Sequence, residues 1–183
     1  MFKLKLTVNE KTVTLGNESV EDVLYSIPDK RKFNPIVAEF AKSPIPQVRM
    51  DVASRSSINK EIVSILLEDT QIDVLRNLVL NHNAHGFISE NSLLRLIETD
   101  DFDILETIVD NLDSFSQCDE DVLAETLCKT KNPKVRMSLA ENELIDQEIL
   151  EILSRDEDQE VADKALATLE SIQEEIDLED DED

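Results

Sequence analysis

Residues 132–156 read NPKVRMSLAENELIDQEILEILSRD, and this stretch decides how the rest of the chain is read. Asn132-Pro133 is a helix start, because Asn can accept from free backbone N–H groups and Pro at the first helical position loses no hydrogen bond. Val135, Leu139 and Ala140 then recur at helical spacing and form a narrow apolar face. Ala140 is small and lets a second helix approach closely. The polar segment Glu141-Asn142-Glu143 ends the first helix, and Asp146 is placed to cap a second one with the face Ile149, Leu150, Ile152 and Leu153. Two helices of roughly ten residues are too short to be stable alone. Each leaves a stripe that only a neighbouring unit can cover, so one unit predicts others.

The other units are present. Val135-Arg136-x-x-Leu139-Ala140 matches Val48-Arg49-x-x-Val52-Ala53. The same first-helix positions hold Val74, Leu78 and Val79, then Ile104, Ile108 and Val109, then Val161, Ala165 and Leu166. The steps from Val48 through Val74, Ile104 and Val135 to Val161 are 26, 30, 31 and 26 residues. Second helices follow with Ile62, Ile65 and Leu66; with Leu93, Leu96 and Ile97; with Leu123, Thr126 and Leu127; and with Ile149, Ile152 and Leu153. Asp69, Asp100 and Asp156 close three of them at the same point. Upstream, Val20, Val23 and Leu24 fit a first helix, and Ile36, Val37, Phe40 and Ala41 a second.

The Val-Arg-x-x-(Val/Leu)-Ala motif, a polar turn, a Leu-rich segment and a trailing acid resemble the leucine-rich repeat variant and related HEAT-like α-solenoids. The likeness covers residues 34–170 and is clearest over 46–69 and 132–166. It implies an all-α fold: a right-handed α-α superhelix of about five helical hairpins. One member of that family carries an iron–sulphur cluster held by a group of cysteines that this chain lacks, so no cofactor is carried over. The middle units, at 30 and 31 residues, are longer than the family's usual repeat.

Composition points the same way. The chain has 183 residues, 40% apolar, with only 4% aromatic and no Trp, so its core is aliphatic. Two glycines are too few for the positive-φ turns of a β-rich fold. The net charge of −24 is uneven: residues 1–60 carry +3 and residues 61–183 carry −27. Between Arg95 and Lys129 there are eleven acids and no base. A solvated acidic surface and an electrostatic footprint for a basic protein partner both fit. Direct binding to nucleic acid is disfavoured, since phosphates are repelled. No stretch approaches the ~20 apolar residues of a membrane span. The opening MFKLKLTVNEK lacks the apolar region of a secretion signal. Cys118 and Cys128 are not in a CxxC, which fits a reduced, cytoplasmic protein.

Three segments are expected: a β-hairpin over 1–16, helical repeats over 17–172, and a disordered acidic tail over 173–183. In the hairpin, Phe2, Leu4, Leu6 and Val8 share one side, Val13 and Leu15 another strand's side, and Asn9-Glu10-Lys11 turns between them. It either covers the first helices or is an arm for a partner. Asn17 and Ser19 stand where the first helix needs a cap, and Asn34-Pro35 repeats the start at Asn132-Pro133. The last helix is expected to stop at Ile172 or Ile176. Insertions at 81–89 and 112–121 lengthen the middle units and fall on the same edge, as binding loops or as drift.

Catalytic chemistry finds no support. The chain has no Gly-rich phosphate loop, no GxSxG and no HExxH. His82 and His85 are two possible ligands where a stable metal site needs three or four. Asp100-Asp101-x-Asp103 and Asp119-Glu120-Asp121 lack calcium-loop spacing, and acids gather at helix starts for dipole reasons. Arg49, Arg76 and Arg136 form either a basic ladder for an anionic ligand or a set of ion pairs, each with an acid of a neighbouring unit, such as Asp51 or Asp73. The expectation is a non-catalytic protein-interaction scaffold without cofactor or metal. Its candidate contact residues are Glu61, Glu68, Glu98, Asp101, Asp103, Asp119, Glu120, Asp121, Glu125 and Glu151. The alternative is an acidic inhibitor of the immunity type, mimicking nucleic acid to neutralise a basic partner.

Overall fold

The computed structural model describes residues 2–180, with the side chains of 2–174. The described residues form twelve α-helices and one two-stranded antiparallel sheet. By its contacts the chain divides into two compact units, Met1–Ile88 and Ser89–Asp183.

The first unit begins with β1 (Lys5–Val8) and β2 (Lys11–Thr14), with Leu6 opposite Val13 and Val8 opposite Lys11. Asn9 and Glu10 alone make the turn, both at positive φ, 46° and 66°, as a two-residue hairpin of this twist requires. Lys11, expected in the turn, is therefore the first residue of β2. Phe2 packs edge-on against Phe40 with ring centroids 6.1 Å apart. The hairpin is covered only near this base: Leu6, Val8 and Val13 are 50%, 57% and 54% exposed.

Six helices follow: α1 (Val20–Ser26), α2 (Asn34–Phe40), α3 (Pro46–Ala53), α4 (Lys60–Leu66), α5 (Ile72–Leu80) and α6 (His82–His85). Two expected caps are corrected. Asn17 lies in a 3₁₀ turn, and Ser19, at the N-cap of α1, makes no side-chain cap bond. Asn34 does not cap α2 as Asn132 caps its helix. It is buried inside the first turn and its Nδ2 donates to the Ser57 carbonyl at 2.8 Å. Helices pack on their second neighbours: α1 on α3, α2 on α4 and α3 on α5.

The second unit holds α7 (Glu90–Ile97), α8 (Phe102–Val109), α9 (Glu120–Leu127), α10 (Pro133–Ala140), α11 (Gln147–Leu153) and α12 (Gln159–Asp180). Again α7 packs on α9, α8 on α10 and α10 on α12. The helix backbone of α12 continues to Asp180, beyond the stop expected at Ile172 or Ile176, and residues 181–183 of the expected tail lie outside the described residues.

The first helices bury one consistent set of positions. Val48, Val52 and Ala53 of α3 and Val135, Leu139 and Ala140 of α10 are all fully enclosed, as are their equivalents in α5 and α8. With about 100° between successive residues, positions i, i+4 and i+5 span an arc that also contains i+1. That next position is Leu75 in α5, Leu105 in α8 and Arg136 in α10, and all three are buried. Leu166 is the exception, 47% exposed at the i+5 position of α12. That position faces the following first helix: the Ala53 carbonyl takes Asn81 Nδ2 at 2.6 Å, and the Ala140 carbonyl takes the Thr168 hydroxyl at 2.7 Å. No helix follows α12 among the described residues.

Second helices differ by a small rotation. In α4 the buried residues are Ile62, Val63 and Leu66, and in α11 Ile149, Leu150 and Leu153. Positions i, i+1 and i+4 centre the stripe away from i+3, so Ile65 is only half-buried and Ile152 is 54% exposed. The expected i+3 core position in these two helices is thus corrected, and so it is in α9, where Ala124 is buried and Thr126 only half-buried.

Candidate functional site

Both insertions turn inward. Residues 82–85 form the single turn α6, which buries Ala84 and His85, and Ile88 follows fully enclosed. Nε2 of His85 donates to the Val79 carbonyl at 2.6 Å, so that nitrogen carries its proton and is not a metal ligand. The His82 ring lies edge-on to it at 5.1 Å. Residues 112–114 form a 3₁₀ turn, and Leu112 and Phe115 are buried. These segments thus add residues to the buried core.

The arginines do not form a ladder. Arg136 sits on the buried face of α10 and donates to both oxygens of Asp156, at 2.7 and 2.9 Å. Its third bond, at 2.7 Å, goes to the Thr130 carbonyl. Arg49 repeats each bond: two to Asp69 and one, at 2.8 Å, to the Ser43 carbonyl. Asp69 and Asp156 then accept from the N–H groups of Gln71 and Asp158 at 2.9 and 2.8 Å. Neither Asp51 nor Asp73 is the partner of these two arginines. Arg76 stands one position further on, and pairs with Asp73 of its own helix at 3.2 Å. Asp100 closes α7 as Asp69 and Asp156 close their helices, its N–H donating to the Ile97 carbonyl at 3.1 Å, but it sits at φ 54°.

The charges of these clamps are fixed by their surroundings. Burial would raise the Asp69 carboxyl, but the Arg49 bonds and the Gln71 N–H outweigh it and hold it below the usual range. The Arg136 bonds lower Asp156 against burial. Asp29 accepts from both the N–H and the hydroxyl of Ser56 and of Ser57. Burial opposes these bonds, yet they bring its carboxyl to about 2. Burial pushes the Cys118 thiol up to about 11, with Glu90 adding to it, and raises Cys128 as well. Neither thiol is a ready nucleophile at neutral pH.

Nine of the ten candidate contact residues are exposed, and Asp101 is half-buried. Glu61 and Glu68 belong to the first unit and the other eight to the second. Asp101 caps α8 by accepting from the Ile104 N–H at 3.2 Å, and Asp119 caps α9 by accepting from Asp121 at 3.1 Å. Their presence at helix starts is explained without a ligand. Glu125 reaches Lys129 at 3.8 Å.

Glu120 and Asp121 line a cavity. It is a cleft of about 180 Å³ whose floor is Val109, Leu112 and Ala124. Asp110 and Asp113 join Glu120 and Asp121 on its rim. One wall is Leu144, 85% exposed, its N–H held by Asn142 Oδ1 at 2.9 Å. Among the described residues none of the four rim acids takes part in an ion pair. The sequence reading missed Asp110, Asp113 and Leu144. Asp110 and Asp113 stood within the base-free stretch, but nothing in the sequence set Leu144, followed by Ile145, apart from an ordinary loop residue.

Comparison with protein-family models, with curated proteins and with solved structures finds no match for this chain. Among the described residues no helix is long and apolar enough to cross a membrane.

Proposed function

We propose that the chain is a non-catalytic protein-interaction scaffold of the HEAT-like solenoid kind, whose acidic surface receives a partner with a basic face. The solenoid is supported by the equivalent buried positions of α3, α5, α8 and α10 and by packing of second-neighbour helices inside each unit. The Arg49 and Arg136 clamps, identical bond for bond, support a true repeat in place of a chance resemblance among short helices.

The observation that carries the function is the exposed run on α8, α9 and the turn between them. Asp103, Asp110, Asp113, Asp119, Glu120, Asp121 and Glu125 are all exposed, in a stretch with no basic residue before Lys129. Such a field speeds and orients encounter with a cationic surface, and salt screens it. Crosslinking in the native cell followed by mass spectrometry tests it. Basic proteins are expected, joined to residues 98–128, with yields that fall when salt is added to a lysate before crosslinking. Equal recovery of the same partners by a chain with Asp103, Asp113, Glu120 and Asp121 changed to amides would overturn it.

A further inference from the structure

We infer that the N-terminal hairpin of one copy docks on the outer face of α12 in a second copy, joining chains head to tail. Neither face belongs to the acidic run at 98–128 on which the reading above rests.

The first face is one side of the small sheet. Directly opposed residues of an antiparallel pair point the same way. Leu6 opposes Val13 and Val8 opposes Lys11, so the three apolar residues stand together with Lys11 beside them. The other side is polar, where Thr7 and Thr12 share a hydrogen bond of 2.8 Å. Such alternation belongs to strands with one buried side, yet Leu6, Val8 and Val13 are all at least half exposed. Two short strands are marginal in water by themselves. Phe2 on Phe40 anchors the base of the hairpin and leaves this side open.

The second face is open for a different reason. Ala53, Val79, Val109 and Ala140 hold the i+5 position of their first helices, and none is more than 2% exposed, whereas Leu166 of α12 is 47% exposed there. Around it the exposed residues Asp163, Leu166, Ala167, Glu170 and Glu174 recur at i, i+3, i+4, i+7 and i+11, which keeps them on one side of the helix. Lys164, the only base in α12, is turned to Glu141 at 3.0 Å.

The two faces are complementary in both polarity and charge. Residues 1–16 carry three lysines and one acid, in a chain of net charge −24. Docking lays Leu6, Val8 and Val13 over Leu166 and Ala167 and brings Lys11 among the flanking acids. A hairpin facing a second hairpin would set lysine against lysine. Two different patches of one chain make a heterologous contact, which can repeat from copy to copy. The faces are small, so the association is weak, with a Kd of roughly 10–100 µM.

Sedimentation velocity of the full chain through that concentration range tests it, in about 0.15 M salt so that long-range repulsion between copies is screened. The average size is expected to rise with concentration. Val8→Glu and Leu166→Glu alter exposed side chains, and each variant is expected to stay monomeric with unchanged circular dichroism. Mixed one to one, the two variants are expected to form a dimer and nothing larger, because the intact hairpin of one fits the intact α12 of the other. Lys11→Gln is expected to weaken self-association several-fold. A native chain that stays monomeric, association that survives either substitution, two variants that remain apart when mixed, or an unaffected Lys11→Gln would each overturn the inference.

Discussion

Arg136 grips Asp156, twenty residues further along the chain, through two parallel hydrogen bonds of 2.7 and 2.9 Å, with both side chains under 10% exposed. Arg49 grips Asp69 across the same interval. In α5 and α8 the same buried position holds Leu75 and Leu105, so the fold accepts either a clamp or plain packing there.

Removing one half of the clamp leaves the other buried and unpaired. Arg136→Leu is expected to lower stability by about 3 kcal/mol, and Asp156→Ala by a similar amount. The double variant is expected to be less damaging than the sum, with at least about 1 kcal/mol of coupling. Urea unfolding of the four chains measures this, and additive losses would show that the pair is not a unit.

Asn81 ties α5 to the end of α3 by donating to the carbonyls of Ala53 and Arg55 at 2.6 and 2.9 Å. Asn81→Ala is expected to cost about 1–2 kcal/mol. Asn81→Asp is expected to be worse than alanine, since a carboxylate cannot donate to either carbonyl. Thermal melts of the two variants, compared at one pH, decide the order.

Phe115 tests whether the 112–121 insertion belongs to the core. Buried to 1% exposure, it is expected to cost about 3–5 kcal/mol when changed to alanine. Its exposed neighbour Ser116, changed to alanine, is expected to stay within about 0.5 kcal/mol. A small effect of Phe115→Ala would return the segment to the class of detachable surface loops.

Acid should act through Asp29, Asp69 and Asp156. All three carboxyls are lowered in the folded state, Asp29 to about 2. The unfolded chain therefore binds protons first, and the stability these groups contribute is present above the ordinary carboxylate value and lost as pH falls through the folded ones. The expected loss runs from about pH 5 down to about pH 2. Asp29→Asn should flatten part of that slope. At neutral pH the charge of −24 works the other way, so added NaCl should raise the melting temperature by screening self-repulsion.

Helical periodicity made the first-helix core legible, because positions i, i+4 and i+5 are read directly from Val48, Val52 and Ala53 and recur buried in α5, α8 and α10, failing only at Leu166 of α12. It could not place Ile65 or Ile152, since a seven-residue helix can turn its stripe by one position without changing composition. The clamps were half legible: the arginine and the trailing aspartate both stood out, but their pairing spans a whole hairpin, and neighbouring acids looked equally suitable. Asn34 misled because an Asn-Pro pair fits a cap and a buried side-chain donor alike. The cleft was least legible. It depends on three segments that meet only after folding, and its most telling residue, Leu144, looks like an ordinary loop leucine until its exposure is known.

Every partner in the Arg49 clamp lies between Ser43 and Gln71, and every partner in the Arg136 clamp between Thr130 and Asp158. Contacts so near in sequence close with little loss of chain entropy and form early. The two clamps are therefore expected to act as separate folding nuclei, one in each compact unit, ahead of the unclamped stretch between them. In pulsed hydrogen exchange during refolding, the amides of Gln71 and Asp158 should gain protection together, ahead of those in α7 and α8.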